Sequence, residues 1–394
     1  MTTTLTPIPD PIPIPAPIPA PIPAPNPAPN PALTPPPIPT SVPYALHRLG
    51  VVMRPDPANI NEAMGVLNPA VVRAPNGKLF LYPRVVANGN YSRIGIGEVI
   101  FDAAGNPDHV NRKGTALEPT EPFEKNARTA GCEDPRITLV EPLGCHVMVY
   151  CAYGPLGPRV AMAYSKDLIN WSRLGPAKFK YMPALRVDFD LYDNKDAMIF
   201  PVPVLDPHGK PALAMLHRPS NIQGLYSEHL LVLPTGVTEP RASIWISYCN
   251  LDSAQRDLSN LCYWRDHQLV ATPHQAWELL KIGGGTPPIM TDQGWLIVYH
   301  GVSGVISPQR DIQPNVRYSA GVMVLDKADP RIVRYRSTEA VLQPETETER
   351  YGVVPNVVFP TGIDLRENGR ADVYYGMADA AIGVATMTLP VVPV

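Results

Sequence analysis

The sequence predicts an all-β fold: a five-bladed β-propeller domain over residues 44–394, preceded by a disordered proline-rich N-terminal tail over residues 1–43. Three observations carry this. Apolar runs of strand length, bounded by turn residues, fill the body of the chain. They recur five times behind a similar preamble. Proline is concentrated at the N-terminus.

The tail comes first. Eighteen of the 50 prolines lie between Pro7 and Pro43, alternating with Ile, Ala and Asn. Proline fixes φ and has no amide hydrogen, so neither a helix nor a central strand can form there. An extended polyproline II or disordered spacer is expected.

From Tyr44 the texture changes. Residues 78–82, 147–150, 212–216, 295–299 and 371–375 are runs rich in Val, Leu, Met and Tyr, with Gly, Pro, Asn and Asp between them. Such runs read as strands. The units open at Asn68-Pro69, Asp134-Pro135, Asp196-Ala197, Pro287-Pro288 and Asn356-Val357. Several turn through a glycine, as at Asn76-Gly77, His208-Gly209, Gln293-Gly294 and Asn368-Gly369. The openings are 66, 62, 91 and 69 residues apart, which fits one supersecondary unit per repeat. An insertion is expected in the third interval, beginning between Ser220 and Glu239. Five all-β repeats predict a propeller of about four strands per blade. The alternative, a two-sheet sandwich, would be unusually long.

Charge and cysteines bound the function. With 33 Lys+Arg against 36 Asp+Glu the net charge is −3. No basic stripe is available for nucleic acid, and no polybasic surface for a membrane. No apolar run approaches the roughly 18 residues of a membrane helix. Residues 1–7 lack a basic and an apolar region, so no secretory signal is expected. Five cysteines (Cys132, Cys145, Cys151, Cys249, Cys262) without a C-x-x-C pair read as reduced thiols of a cytoplasmic protein. No His or Cys spacing suits zinc, and no metal is expected.

In a propeller the first strand of each unit faces the axis, so polar residues at equivalent positions converge. Those positions hold Asn68, Glu133 and Asp134, Asn194 to Asp196, Lys281 ahead of Gly283-Gly284-Gly285, and Asn356. Strand ends add Arg84, Arg218, His300 and Asp379. A single Asn or Asp is adequately explained as a turn cap. Five aligned repeats, each contributing a charged or amide group, predict a site. Asp134 is its central acid, among Arg84, Lys195, Arg218, Lys281 and His300. An inverting glycosidase needs a second carboxylate as base. Cations around one carboxylate instead suit an anionic co-substrate such as phosphate. Phosphate is already a nucleophile and needs a cradle. The three glycines would let backbone amides approach such an anion. Trp171, Trp264 and Trp295 are expected to pack between blades.

The segments Cys132-Glu133-Asp134-Pro135-Arg136-Ile137, Asn194-Lys195-Asp196-Ala197 and Leu216-His217-Arg218-Pro219 resemble glycoside hydrolase family 130. So do residues 165–171, Lys281-Ile282-Gly283-Gly284-Gly285-Thr286-Pro287-Pro288, Tyr299-His300-Gly301, residues 355–362 and Tyr374-Tyr375-Gly376-Met377-Ala378-Asp379. They occur in the family's order from about Asn61 to Leu389. The resemblance implies a five-bladed propeller that phosphorolyses β-mannosides with inversion, giving α-mannose 1-phosphate. It implies Asp134 as general acid, its proton relayed through the mannosyl 3-hydroxyl. It implies phosphate binding by Asn194, Arg218, Lys281, Tyr299 and His300. It implies sugar binding by Asn68, Arg84, Arg93, Glu345 and Asp379. Partners are then a β-mannoside oligosaccharide and inorganic phosphate as co-substrate, with no other cofactor; a homo-oligomer is allowed. The segment 220–257 departs from the family pattern, which leaves linkage and acceptor open. Two alternatives remain: a β-mannoside hydrolase of the same family, and a non-catalytic sugar-binding propeller.

Overall fold

The computed structural model describes residues 44–126, 130–220, 233–305, 307 and 315–390. The proline-rich tail and residues 221–232 of the expected insertion lie outside these.

The described chain is almost entirely strand. β1 (His47–Met53) pairs antiparallel with the last strand of the chain, Ala381–Thr388. A first antiparallel unit follows, made of β2 (Gly65–Arg73), β3 (Leu79–Ala87), β4 (Tyr91–Phe101) and β5 (Pro107–Leu117). A second is β6 (Ala130–Val140), β7 (Cys145–Gly154), β8 (Gly157–Ser165) and β9 (Ser172–Pro176). Two parallel pairings, Tyr91 with Ala130 and Ser92 with Gly131, join them into one sheet. The third unit gathers β10 (Lys178–Phe179), β11 (Asp193–Ile199), β12 (Val204–Leu205), β13 (Pro211–Ser220), β14 (Ile244–Asn250) and β15 (Tyr263–Ala271). The fourth is β16 (Lys281–Gly283), β17 (Ile289–Thr291), β18 (Gly294–Gly304), β19 (Val316–Leu325) and β20 (Val333–Arg336). The fifth is β21 (Val358–Leu365), β22 (Arg370–Met377) and β23 (Ala381–Thr388), completed by β1. Two short helices, α1 (Leu251–Arg256) and α2 (Glu347–Arg350), sit in connections.

The predicted runs fall within the second or middle strand of each unit. The fourth unit differs from expectation: its first strand starts at Lys281, not at 287, and is interrupted between β16 and β17.

The core is divided among the units. One apolar cluster joins the first and second units through Tyr82, Ile94, Met148 and Ala161. Others join the second to the third (Val149, Met162, Leu213, Trp264), the third to the fourth (Met198, Ile246, Trp295, Tyr299) and the fourth to the fifth (Val298, Val322, Val373, Tyr375). A fifth cluster joins the last unit to the first through Val66, Leu81, Tyr374 and Ile382. Trp171 packs edge-on to Tyr82 across one of these seams, and Trp295 edge-on to Phe200 across another. β5 is an outer edge whose Asp108, His109, Arg112 and Lys113 face water, which discourages pairing with another chain.

One local device recurs. Asn68 (φ 44°), Asp134 (φ 48°), Asp196 (φ 54°) and Asn356 (φ 60°) are all left-handed. Asn and Asp tolerate this conformation better than other non-glycine residues. In β2, β6 and β11 the residue sits where the ladder slips register: between Leu67 and Ala70, Glu133 and Arg136, and Lys195 and Met198. Such a bulge re-aims a side chain out of the pleat. It also accommodates Pro69 and Pro135, which have no amide to give a ladder.

Candidate active site

The bulged residues come together. Asp134 is buried, and its Oδ1 accepts hydrogen bonds from Asn68 Nδ2 (2.8 Å) and Arg84 Nη1 (3.3 Å). Its Oδ2 has no hydrogen-bond partner among the described residues. Arg84 also donates to Glu133 Oε1 (2.8 Å) and, through Nε, to Ser92 Oγ (2.9 Å). Burial pushes the Glu133 carboxyl up, with Arg84 pulling it back and Asp134 adding to the rise. Asp379 lies in the left-handed turn after β22 (φ 52°). Burial raises its carboxyl to about 6; Arg84 opposes, and the Asp134 charge adds to the rise.

A second group adjoins the first. Asp196 Oδ2 accepts from Arg218 Nε at 2.6 Å and lies 3.5 Å from His300 Nε2. Burial alone would raise the Asp196 pKa, but Arg218, His300, Lys195 and Arg136 win and hold it well below the usual carboxylate range. Lys195 is the link: its charge is favoured by Asp196 and also by Asp134, against the cost of burial. Lys281 lies with its ammonium 5.3 Å from the centre of the Tyr318 ring. Burial lowers its pKa; Tyr318 opposes, while Arg218 and Lys195 lower it further. His300 packs on Phe359 at 4.4 Å between ring centres. Burial outweighs Asp196 and holds the His300 pKa well below its usual value, so the ring is neutral near pH 7. Neither ring nitrogen has a hydrogen-bond partner among the described residues.

Arg136 ties these parts together. Its Nη1 donates to the carbonyl of Asp134 (2.8 Å), its Nε to that of Gly285 (3.1 Å) and its Nη2 to that of Gly284 (3.2 Å). The second and fourth units are thereby clamped. The three glycines serve close packing here and do not form a loop open to an anion. A Cβ on Gly283 would strike the Asp196 carboxylate and His300, one on Gly284 the Met198 side chain, and one on Gly285 the carbonyls of Val298 and Pro360.

Of the residues chosen from sequence, Asn68, Arg84, Asp134, Arg218, Lys281, His300 and Asp379 belong to this assembly. Four do not. Asn194 pairs across from Pro219 while Lys195 pairs across from Arg218, so the pleat sends Asn194 to the opposite face. There its amide meets His217 Nδ1, at the head of a buried chain through Ser247 to His267. Tyr299 precedes His300 on β18 and points the other way, as strand neighbours must. Its hydroxyl bonds Glu278 (2.5 Å) and Arg336 (3.1 Å). Arg93 pairs across from Val85, on the face away from Arg84, and holds Glu118 at 2.8 Å. Glu345 is exposed and paired with Arg48 at 2.9 Å.

Sequence reasoning set Lys195 and Asp196 among the converging positions but gave Asp196 no role, and it missed the parts played by Arg136 and Tyr318. Asp196 had a readable signal, since it occupies the same bulge position as Asn68 and Asp134. Tyr318 had none; only the pairing of β18 with β19 brings it beside His300.

Comparison with known proteins points first to a class, carbohydrate-active β proteins, and then to a family. The model of glycoside hydrolase family 130, described as beta-1,4-mannooligosaccharide phosphorylase, matches residues 44–392, and the chain belongs to this family. The 1,2-beta-oligomannan phosphorylase of Thermoanaerobacter sp. (strain X514) is 30% identical over 342 residues, covering 86% of this chain and 95% of that protein. The beta-1,4-mannooligosaccharide phosphorylase of Ruminococcus albus is 40% identical over 133 residues, covering 32% of this chain and 36% of that protein. Among solved structures, the beta-1,2-mannobiose phosphorylase of Listeria innocua superposes with a TM-score of 0.63 at 22% identity, covering 88% of this chain and 97% of that one. That likeness concerns the fold.

Proposed function

We propose that the chain is an inverting β-mannoside phosphorylase, cleaving a terminal β-mannosidic bond with inorganic phosphate to give α-mannose 1-phosphate and a shortened acceptor. The observation that carries this is one assembly holding both a buried acid and a cationic pocket. Asp134 has one oxygen clamped and one free, and Lys195, Arg218 and Lys281 gather around a neutral His300. The activities named for the Thermoanaerobacter and Ruminococcus relatives support the same reading.

In this mechanism Asp134 gives its proton toward the glycosidic oxygen, by way of the sugar 3-hydroxyl. The C1–O bond breaks, and a phosphate oxygen bonds C1 from the opposite face. Asp134 then regains a proton from solvent. Arg84 and Asn68 hold the acid in place, and Asp379 accepts hydrogen bonds from sugar hydroxyls. Lys195, Arg218 and Lys281 neutralise the phosphate, which supplies the nucleophile itself; no metal or organic cofactor is required.

The units form the blades of a five-bladed propeller. Support comes from the five apolar seams, which run from the first unit round to the fifth and back to the first, and from β1, which pairs with β23 and would close the ring. The catalytic domain is residues 44–394, with residues 1–43 a tail. Five buried free thiols favour a reducing, cytoplasmic setting.

One observation favours a second reading, hydrolysis. Asp379 is a carboxylate in the same assembly, and an inverting hydrolase needs such a base. Turnover of a β-mannoside with and without inorganic phosphate separates the two. The expected result is no cleavage without phosphate and release of α-mannose 1-phosphate with it. Full activity in phosphate-free buffer would overturn the proposal.

A further inference from the structure

We propose that Asp196 makes the anion pocket selective for an oxyanion that carries a proton, such as phosphate or arsenate, over fully ionised sulfate. The inference rests on the phosphorylase reading above and names what that site selects.

A carboxylate in a cationic anion pocket calls for a reason. Asp196 is 2% exposed, and its two oxygens are in different circumstances. Oδ2 is engaged by Arg218 Nε at 2.6 Å and faces His300 Nε2 at 3.5 Å. Oδ1 is buried without a hydrogen-bond partner among the described residues. The guanidinium nearest to it, Arg136 Nη2, stands 3.9 Å away, beyond hydrogen-bond reach. That guanidinium already donates to the carbonyls of Asp134, Gly284 and Gly285, so it is not free to turn. Gly283, packed against the carboxylate, has no side chain to offer. A buried carboxylate oxygen left without a donor is costly. A donor carried by the bound ligand would satisfy it.

Asp196 remains ionised in this setting, so it can accept a hydrogen bond but not give one. Near neutral pH inorganic phosphate carries at least one proton, and so does arsenate. Either can turn its unprotonated oxygens toward Lys195, Arg218 and Lys281 and its hydroxyl toward Oδ1. The proton stays on the ligand, and no bond is made or broken on binding. Sulfate has no proton at this pH, so its lone pairs would face those of Oδ1. A site built to hydrogen-bond a ligand group discriminates strongly against an analogue lacking it. Had Asp196 served only to orient Arg218, the two anions would bind alike.

The test is competition against phosphate by arsenate and sulfate, in wild type and in Asp196→Asn. In wild type, arsenate should compete within a few-fold of the phosphate KM, and sulfate about tenfold more weakly or worse. In Asp196→Asn, whose amide can donate, sulfate should tighten by about tenfold while the phosphate KM rises. Sulfate binding to wild type as well as arsenate would overturn the inference without any variant. So would an unchanged sulfate-to-phosphate ratio in Asp196→Asn. Titration calorimetry of wild type with the three anions reads the same order without turnover. A chain that binds phosphate selectively yet cleaves mannoside without it overturns the phosphorylase reading alone.

Discussion

Replacing Asp379 by Asn should stabilise the protein at neutral pH while removing most of its activity. The unfolded chain releases this proton near the ordinary value of 3.8, whereas the folded protein holds it until about 6. Below 3.8 both states are protonated and the residue costs nothing. Between 3.8 and 6 the cost grows, because the unfolded chain ionises and the folded one resists. Above 6 it is constant. At about 1.4 kcal/mol per pH unit the ceiling is about 3 kcal/mol. The side chain is half-buried, so solvent screening brings the expected gain to about 1–2 kcal/mol. The amide keeps the shape of the carboxylate, and Arg84 retains Glu133 and Asp134, so no cation is orphaned. The assay is the melting temperature of both proteins from pH 4 to pH 8. The difference should favour the variant at pH 8 and shrink toward zero near pH 4. A difference independent of pH, or a more stable wild type at pH 8, would refute the reasoning. In the wild type, kcat/KM for the mannoside should fall as pH drops through about 6, where Asp379 takes up its proton.

Asp134→Asn should fold normally, since Asn68 and Arg84 can still donate to its Oδ1, and should lower kcat by about 10²–10⁴-fold; calorimetry and steady-state kinetics check both halves. Lys281→Ala should raise the KM for phosphate far more than that for the mannoside. In the wild type the phosphate KM should climb on the alkaline side at a lower pH than an ordinary lysine would set, because burial lowers the Lys281 pKa. Tyr299→Phe should leave both KM values alone but cost about 1–3 kcal/mol of stability, because Glu278 and Arg336 lose the shared hydroxyl. Gly285→Ala should leave little soluble protein, since the added methyl meets the carbonyls of Val298 and Pro360, the latter at 2.9 Å.

The strand runs were legible because a strand buried on both faces writes a short continuous apolar run, closed off by turn residues. The repeat was legible because four of the five units open on an Asn or Asp, each of which takes the same left-handed conformation. Position along a strand was less so. Asn194 and Lys195 are neighbours, as are Tyr299 and His300, yet one of each pair reaches the assembly and the other is buried behind it. The glycine run looked like an anion loop, and its carbonyls proved to be acceptors for Arg136.

By itself the sequence determined that this is an all-β chain of five units, and which residue types its repeat openings present. The tertiary structure alone decided which of them meet: Asp134 with Arg84 from the first unit, Arg136 with glycines of the fourth, and Asp196 with Arg218 and His300. The reason is the reach of the two kinds of information. Apolar runs and turn chemistry act between residues a few positions apart and can be read in order. Face, register and burial are set by strands far away in the chain, and they determine whether a carboxylate is clamped, raised in pKa or left with an oxygen awaiting a donor.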